Sequence, residues 1–180
     1  MQDTQLAESI SKAIDFNLSQ VFNEIDLKVK EITFTNVESI NSIKPLKQET
    51  KICLFSEAGT ENFKSIVLVS FNKSNALMMV DLIKGANFGS TKLFSASEIN
   101  ALKTVSSNLF KAWINSLNSV SVVKVVLSEP KIAFSFSEFE NELVAGNLKG
   151  KGRFFELSLT VGGTEIKGAM KFFALAEMVK

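Results

Sequence analysis

The composition of this 180-residue chain excludes several classes of function before any motif is considered. Its 20 Lys and Arg residues nearly balance its 19 Asp and Glu residues, and a net charge of +1 gives no field that would attract a nucleic acid. The absence of His removes the commonest general base and zinc ligand, so neither a Ser-His-Asp nor a Cys-His site can be built.

The single cysteine and the apolar pattern limit the chemistry and the compartment. Cys53 lies in the apolar run Ile52–Phe55, which favours a core residue over a nucleophile, and one cysteine cannot form a disulfide within the chain. The first residues do not resemble a signal peptide, and no apolar run approaches the roughly 20 residues that span a bilayer. We therefore expect a soluble, cytoplasmic domain that uses no metal, cofactor or membrane.

The chain begins with a helical pattern. Steps of three and four residues predict an amphipathic helix over about 4–25, with the apolar stripe Leu6, Ile10, Ile14, Leu18, Val21, Phe22 and Ile25. Alternation over 28–34 predicts a strand, and the polar segment 37–49, which contains Pro45, is typical of a loop or edge segment.

A hairpin and a short helix complete the first half. The β-branched and apolar runs 51–55 and 63–71 predict two paired strands, because the polar residues between them suit a turn. Ser74 is the predicted cap of the helix that follows, and Gly85 is its predicted end.

The second half opens with a long helix. Ser95 and Glu98 form a capping-box pattern, and the helix is expected to run to about Leu117 while burying Ile99, Leu102, Val105, Leu109 and Trp113. The Val-rich segment 120–127 predicts a strand that Glu129-Pro130 closes.

Two hairpins are predicted for the remainder. One pairs 132–136 with 142–148, and the other pairs 153–161 with 165–175 through Gly162-Gly163. In the first of these, Glu138, Glu140 and Glu142 would share one strand face. That face could recruit a divalent cation or form a solvated edge that discourages aggregation, and we favour the edge and assign no metal site.

The order of elements predicts an α+β fold in a single domain. Each half is led by a long amphipathic helix and continues into strands, which indicates a duplicated unit with pseudo-repeats at about 1–90 and 91–180. The glycines at 146, 150 and 152 fall within a hairpin rather than between a strand and a helix, so no phosphate loop is predicted.

Three stretches carry a resemblance to a known family. They are a strand and helix over Ser65–Gly85 that closes on a Leu-x-x-Gly pattern, a helix with Ala101-Leu102-Lys103 followed by a Val-rich strand and Pro130, and the terminal hairpin with Gly162-Gly163. Together they resemble the CheC/CheX/FliY family of chemotaxis proteins, whose fold the FliM middle domain shares. The resemblance implies a pseudo-two-fold CheC-like domain with a mixed or antiparallel sheet, two long helices on one face and a short helix.

The resemblance also implies a site on the long helices. In the family a long helix carries an acid, an asparagine three residues later, and a Ser or Asp four residues before the acid. This face grips phosphorylated CheY, with the acid as anchor and the asparagine orienting water for attack on the phospho-aspartate. The matching positions here are Thr4, Glu8 and Ser11 on the first helix, and Asn100, Thr104 and Ser107 on the second.

Neither helix keeps an acid together with an asparagine. Glu8 retains the anchoring role, whereas Thr104 stands at the second acid position and serines stand at both asparagine positions. A register shifted by one residue offers Asn108 but puts Val105 of the buried stripe at the acid position. The alternative is that all these positions are ordinary exposed polar residues, with Glu8 a first-turn glutamate favoured by the helix dipole.

We therefore expect a protein that binds a phosphorylated CheY-type response regulator or a flagellar switch partner with little or no phosphatase activity. The residual catalytic positions are Glu8, Ser11, Thr104 and Ser107, and the partner-binding positions are Thr4, Glu8, Asn100 and Thr104. An active CheY-phosphate phosphatase and a structural oligomerisation domain are the alternatives. The chain can be a free-standing protein or an excised middle domain, and a monomer or a homodimer.

Overall fold

The structure is a computed structural model that describes residues 8, 12, 13, 16, 27–37, 51–60, 64–120, 124–145 and 152–175. Its strands are β1 Leu27–Val37, β2 Lys51–Gly59, β3 Lys64–Asn72, β4 Val126–Leu127, β5 Lys131–Ala133, β6 Gly152–Val161 and β7 Lys167–Leu175. Its helices are α1 Lys73–Ile83, α2 Ala96–Val120 and α3 Phe136–Ala145. Glu8, Lys12, Ala13 and Phe16 are also helical, whereas the rest of the predicted first helix lies outside the described residues. Of the loop predicted over 37–49, only Val37 is described, and it ends β1.

All the described strands pair antiparallel in one sheet. The strand order is β1–β6–β7–β3–β2–β4, and β5 also pairs with β2. The predicted hairpins of the first half and of the C-terminus are the pairs β2–β3 and β6–β7. The α+β class is thus confirmed, with an antiparallel sheet.

One face of the sheet carries the main core. Helices α1 and α2 pack there against alternate residues of the central strands, among them Leu54, Val67 and Val69. Four of the residues predicted for the buried stripe of α2 are indeed buried: Leu102, Val105, Leu109 and Trp113. Complete burial of one such aliphatic side chain contributes roughly 1.5–3 kcal/mol, so this stripe fixes which face of α2 points outwards.

The opposite face of the sheet is also covered. Cys53, Phe55 and Leu68 belong to this face because side chains alternate along a strand, and all three are buried. Helix α3 covers part of it, since the Phe139 ring packs edge-on against Phe55 with centroids 5.1 Å apart. The described helices therefore lie on both faces, and the expected pair of long helices on one face is seen only for α2.

Two segments of the second half differ from prediction. The hairpin predicted over 132–148 is wrong: a three-residue strand is followed by α3, in which the three glutamates 138, 140 and 142 lie on a helix. Ser135 caps this helix by accepting a hydrogen bond from the Glu138 N–H at 3.1 Å, and the Glu138 carboxylate accepts the Phe134 N–H at 2.7 Å. The solvated strand edge proposed for these glutamates is therefore also wrong.

The strand predicted over 120–127 is much shorter than expected. Helix α2 continues to Val120, and only Val126 and Leu127 pair with β2. The Asn118 side chain accepts the Val125 N–H at 3.0 Å and donates to the Val125 carbonyl at 3.3 Å. These two bonds join the last turn of α2 to the returning chain and occupy backbone groups that a longer strand would need.

The cap of α1 is one further difference. Asn72, rather than Ser74, is the N-cap, and its side-chain oxygen accepts the Asn75 N–H at 2.7 Å. Gly85 follows the helix with φ of 62°, as its predicted role at the helix end requires.

A buried carboxylate organises the loop between α1 and α2. Asp81 has 0% relative exposure, and it accepts hydrogen bonds from the Gly89 N–H at 2.7 Å and from the Ser90 hydroxyl and the Thr91 N–H at 2.9 Å. Hydrogen bonding, above all from Thr91, lowers the pKa of Asp81 to about 2 against the opposing effect of burial. The loop therefore delivers the chain to α2 in a fixed conformation.

The start of α2 is held by a second carboxylate. Glu98 accepts the Ser95 N–H at 3.0 Å, as the predicted capping box requires, and also pairs with the Ser95 hydroxyl and the Lys84 ammonium group. The ion pair with Lys84, followed by the bond from Ser95, lowers the pKa of Glu98 to about 2. No helix in the described part of the chain is long and apolar enough to cross a membrane.

Candidate functional site: a polar groove beside helix α2

The polar face of α2 lies opposite the residues that anchor it to the sheet. Asn100 and Thr104 are exposed and Ser107 is half-buried, whereas Leu102 and Val105 are buried. Positions i, i+4 and i+7 share one helix face, so the three polar side chains form a row along α2.

This row borders a groove of about 700 Å³. Helix α2 forms one wall of the groove, and the segment after β4 together with β2 forms the other. The lining residues are Ser56, Asn100, Lys103, Thr104, Ser107, Asn108, Phe110, Lys111, Leu127, Ser128, Glu129 and Pro130. A volume of this size falls within the roughly 300–1,000 Å³ of typical ligand clefts.

The second wall is fastened to the sheet by hydrogen bonds around Ser128. The Ser56 hydroxyl donates to the Ser128 carbonyl at 2.5 Å, and the Ser128 N–H donates to the Glu57 carbonyl at 2.9 Å. The Ser128 hydroxyl in turn accepts the Glu57 N–H at 3.0 Å. Because its other end is joined to α2 through Asn118, this wall is held at both ends and the groove is preformed.

The side chains of the groove are suited to binding rather than to proton transfer. The Thr104 hydroxyl donates to the Asn100 carbonyl at 3.0 Å, so it already has a partner within the helix. Glu129 is the one carboxylate among the described lining residues, and the chain has no histidine to serve as a general base beside it. Within the described residues, no cluster of three or more His, Cys, Asp or Glu side chains could hold a metal ion.

A second depression of about 540 Å³ adjoins the groove and shares Lys103 with it. The Lys131 ammonium group lies in this depression, 3.1 Å from the Glu142 carboxylate. Its charge is therefore balanced locally, and Lys103 forms the ridge between the two hollows.

The structure brings together the predicted positions of α2 but tests little of the first helix. Asn100, Thr104 and Ser107 all line the groove. Glu8 is helical and exposed, and it is not among the described lining residues of the groove. Thr4 and Ser11 lie outside the described residues.

Sequence reasoning assigned no role in the site to several other groove residues. Lys111 follows Thr104 by seven residues, so the helical period alone could have placed it on the same face. Ser56, Ser128 and Glu129 carry no such signal, because Ser56 and Ser128 are 72 residues apart and meet only through the sheet.

Comparison with known proteins identifies the fold. A scan against protein-family models and a search of curated protein sequences both give no match. FliY of Thermotoga maritima matches with a TM-score of 0.64 at 15% identity, over 97% of this chain and 90% of that chain. The FliM middle domain of H. pylori matches with a TM-score of 0.60 at 13% identity, over 97% and 93% of the two chains.

A third match extends the likeness to a chemotaxis protein. CheX of Desulfovibrio desulfuricans matches with a TM-score of 0.58 at 10% identity, over 94% of this chain and 99% of that chain. Likeness at such low identity is evidence of shared architecture rather than of shared activity. The chain therefore has the fold that CheX, FliY and the FliM middle domain share.

Proposed function

We propose that this chain is a cytoplasmic CheC-like binding module that docks a phosphorylated CheY-type response regulator or a flagellar switch protein through the groove beside α2, with little or no phosphatase activity. The observation that carries the proposal is the row of Asn100, Thr104 and Ser107, which is presented on a preformed groove in this fold.

The lack of an acid next to an amide argues against rapid hydrolysis. Thr104 stands where the family pattern has the acid, and Ser107 stands where it has the asparagine. Asn108 does offer an amide to the groove, but the residue three positions earlier is Val105, which is 6% exposed and packs in the core. The described helix α2 thus has no acid and amide at the family's spacing that could anchor a regulator and orient water together.

Neighbours of the same fold support a protein as the partner. FliM of H. pylori has been crystallised in complexes with FliG and with SpeE. A flagellar switch protein is therefore the second class of partner to test beside the regulator.

The strand order supports an internal duplication as part of this proposal. Exchanging β1, β2 and β3 with β4, β6 and β7 reproduces the order β1–β6–β7–β3–β2–β4 read from its other end. The β2–β3 hairpin then corresponds to β6–β7, as expected for two pseudo-repeats of about 1–90 and 91–180. The site on α2 would have its counterpart on the first helix, where Glu8 is exposed.

Binding and hydrolysis can be tested on one set of proteins. CheY-type regulators of the source organism are titrated by calorimetry in the unphosphorylated and the beryllofluoride-activated form, and phosphate release is followed from the phosphorylated form. We expect tighter binding of the activated form with an unchanged rate of phosphate release. FliG-type proteins are titrated in parallel.

Variants locate the surface. Thr104→Trp places a bulky uncharged side chain in the groove and is expected to weaken binding at least ten-fold. Asn87→Trp is the matched control, because Asn87 is exposed in the loop between α1 and α2 and is not a lining residue. Faster phosphate release that Glu8→Ala abolishes would establish the phosphatase instead, and no binding to any regulator or switch protein would leave the structural oligomerisation domain.

A further inference from the structure

The described lining residues give the groove a net positive charge, whereas a site built around an acid would be negative. Among the described residues that line the groove, Lys103 and Lys111 are the cations and Glu129 is the one carboxylate. No ion pair joins either lysine to a carboxylate in the part of the chain that the structure describes, whereas the neighbouring Lys131 is paired with Glu142. The two lysines are therefore the cations that remain available to a ligand at this site.

The uncharged side chains that line the groove with the two lysines add hydrogen-bond donors. The amide groups of Asn100 and Asn108 and the hydroxyl of Ser107 make no hydrogen bond within the described residues. Amides and hydroxyls can donate, and an ammonium group can only donate, so the groove offers more donors than its one carboxylate can accept. A ligand rich in acceptors satisfies this surface best.

We propose that the groove receives an acidic segment of the partner protein, with carboxylates that pair with Lys103 and Lys111. The inference rests on the proposed function, because it names the chemistry of the partner at that same site. Charge-assisted hydrogen bonds from ammonium to carboxylate are roughly twice as strong as neutral ones. Lys103 is half-exposed and Lys111 is exposed, so the free-energy cost of desolvating these two lysines on binding is small.

Helix geometry sets the spacing that the segment must have. Lys103 and Lys111 are eight residues apart, which is about 12 Å along the axis of α2 at roughly 1.5 Å per residue. An extended segment advances about 3.3 Å per residue, so carboxylates four positions apart match the two lysines. Because the second wall is fixed through Ser128, the groove loses little conformational entropy when a segment binds.

The test uses the whole chain and a designed probe. The probe is a Gly/Ser octapeptide with two Glu residues four positions apart, titrated into the isotopically labelled protein and followed by amide chemical shifts. We expect the largest shifts at the groove residues of α2, and we expect affinity to fall as salt is added. The same peptide with Gln in place of both Glu residues is expected to cause no saturable shift.

Paired variants separate specific recognition from general charge. Lys103→Gln with Lys111→Gln is expected to weaken peptide binding at least ten-fold. Lys124→Gln with Lys167→Gln removes the same charge from exposed lysines that are not lining residues, and it is expected to leave binding within two-fold. Equal loss in both double variants, binding of the Gln peptide, or tighter binding of an RNA oligomer of equal charge would overturn the inference.

The two proposals fail in different ways. If a regulator or switch protein binds and Thr104→Trp weakens it, but the lysine pair and salt have no effect, the binding module stands and the acidic segment is wrong. If the peptide binds through the lysine pair while no regulator or switch protein binds, the acidic ligand stands and the proposed partner class is wrong.

Discussion

Asp81 and Glu98 are two carboxylates whose folded environment lowers the pKa to about 2. Thr91 contributes most for Asp81, and Lys84 contributes most for Glu98. Ordinary values in unfolded chains are about 3.9 for Asp and 4.3 for Glu. Both groups thus favour the folded state above those values, and this contribution is lost as the pH falls through the range from about 4 to 2.

This linkage predicts how acid destabilises the protein. The melting temperature is expected to decrease as the pH is lowered from 5 to 2, and a variant with Asp81→Asn and Glu98→Gln is expected to melt lower at pH 7 and to show a shallower decrease. Thermal melts of both proteins across the pH series measure the difference. Carboxylates elsewhere contribute equally to the two proteins, so parallel curves would contradict the linkage.

Gly168 marks a close approach between a backbone and an aromatic ring. A Cβ atom at this position would lie 2.4 Å from a ring carbon of Phe71, well inside contact distance. Phe71 is itself 3% exposed and belongs to the main core, so the ring has little room to move.

Gly168→Ala is therefore expected to lower the free energy of unfolding by about 1–3 kcal/mol, which is typical of overpacking. Urea unfolding measures the change. The second substitution Phe71→Leu removes the ring, so the double variant should lose less stability than the sum of the two single variants. Additive losses would show that the contact is not the cause.

Helix α3 illustrates what the element scale adds to sequence reasoning. The apolar and glutamate residues of 132–148 also alternate, and that period favoured strands, but Ser135 and Glu138 carry the spacing of a capping box. The local cap and the Phe139 contact with Phe55 stabilise the helix relative to a strand. A search for S-x-x-E pairs in this segment would have predicted it.

The cap of α3 gives a prediction at this scale. Ser135→Ala removes the acceptor of the Glu138 N–H and is expected to cost about 1 kcal/mol, within the usual range of roughly 0.5–2 kcal/mol for N-caps. Ser137→Ala is the control, since Ser137 is exposed on the same helix. Urea denaturation of both variants tests the cap, and equal effects would contradict it.

The other elements were predictable to different degrees for physical reasons. β-branched runs separated by turn residues located β2–β3 and β6–β7, and the 3.6-residue period located the buried side of α2. The Val-rich segment 120–127 was misleading because Asn118 holds Val125 at the end of α2. A single long-range side-chain contact of this kind has no signature in local sequence.

At the scale of the whole molecule, the candidate site likewise combines a part that local sequence predicts with a part that depends on long-range contacts. The helical period was enough to place Asn100, Thr104 and Ser107 in one row. The groove exists because β2 brings Ser56 beside Ser128, and that pairing depends on the register of the sheet. Sequence reasoning therefore predicted one wall of the site but not the second wall, on which the depth of the groove depends.

Strand pairing between the two halves of the chain also affects how the protein is made. Of the six strand pairings in the described part of the chain, four join a strand before residue 90 to one after it: β1–β6, β3–β7, β2–β4 and β2–β5. On the ribosome, β1 must wait for β6, which emerges more than a hundred residues later, so the nascent N-terminal half keeps open strand edges throughout that interval. The edges need protection until the C-terminal hairpin is synthesised, and this need follows from the strand order alone. Chaperone binding would cover the edges, and rapid translation would shorten the interval.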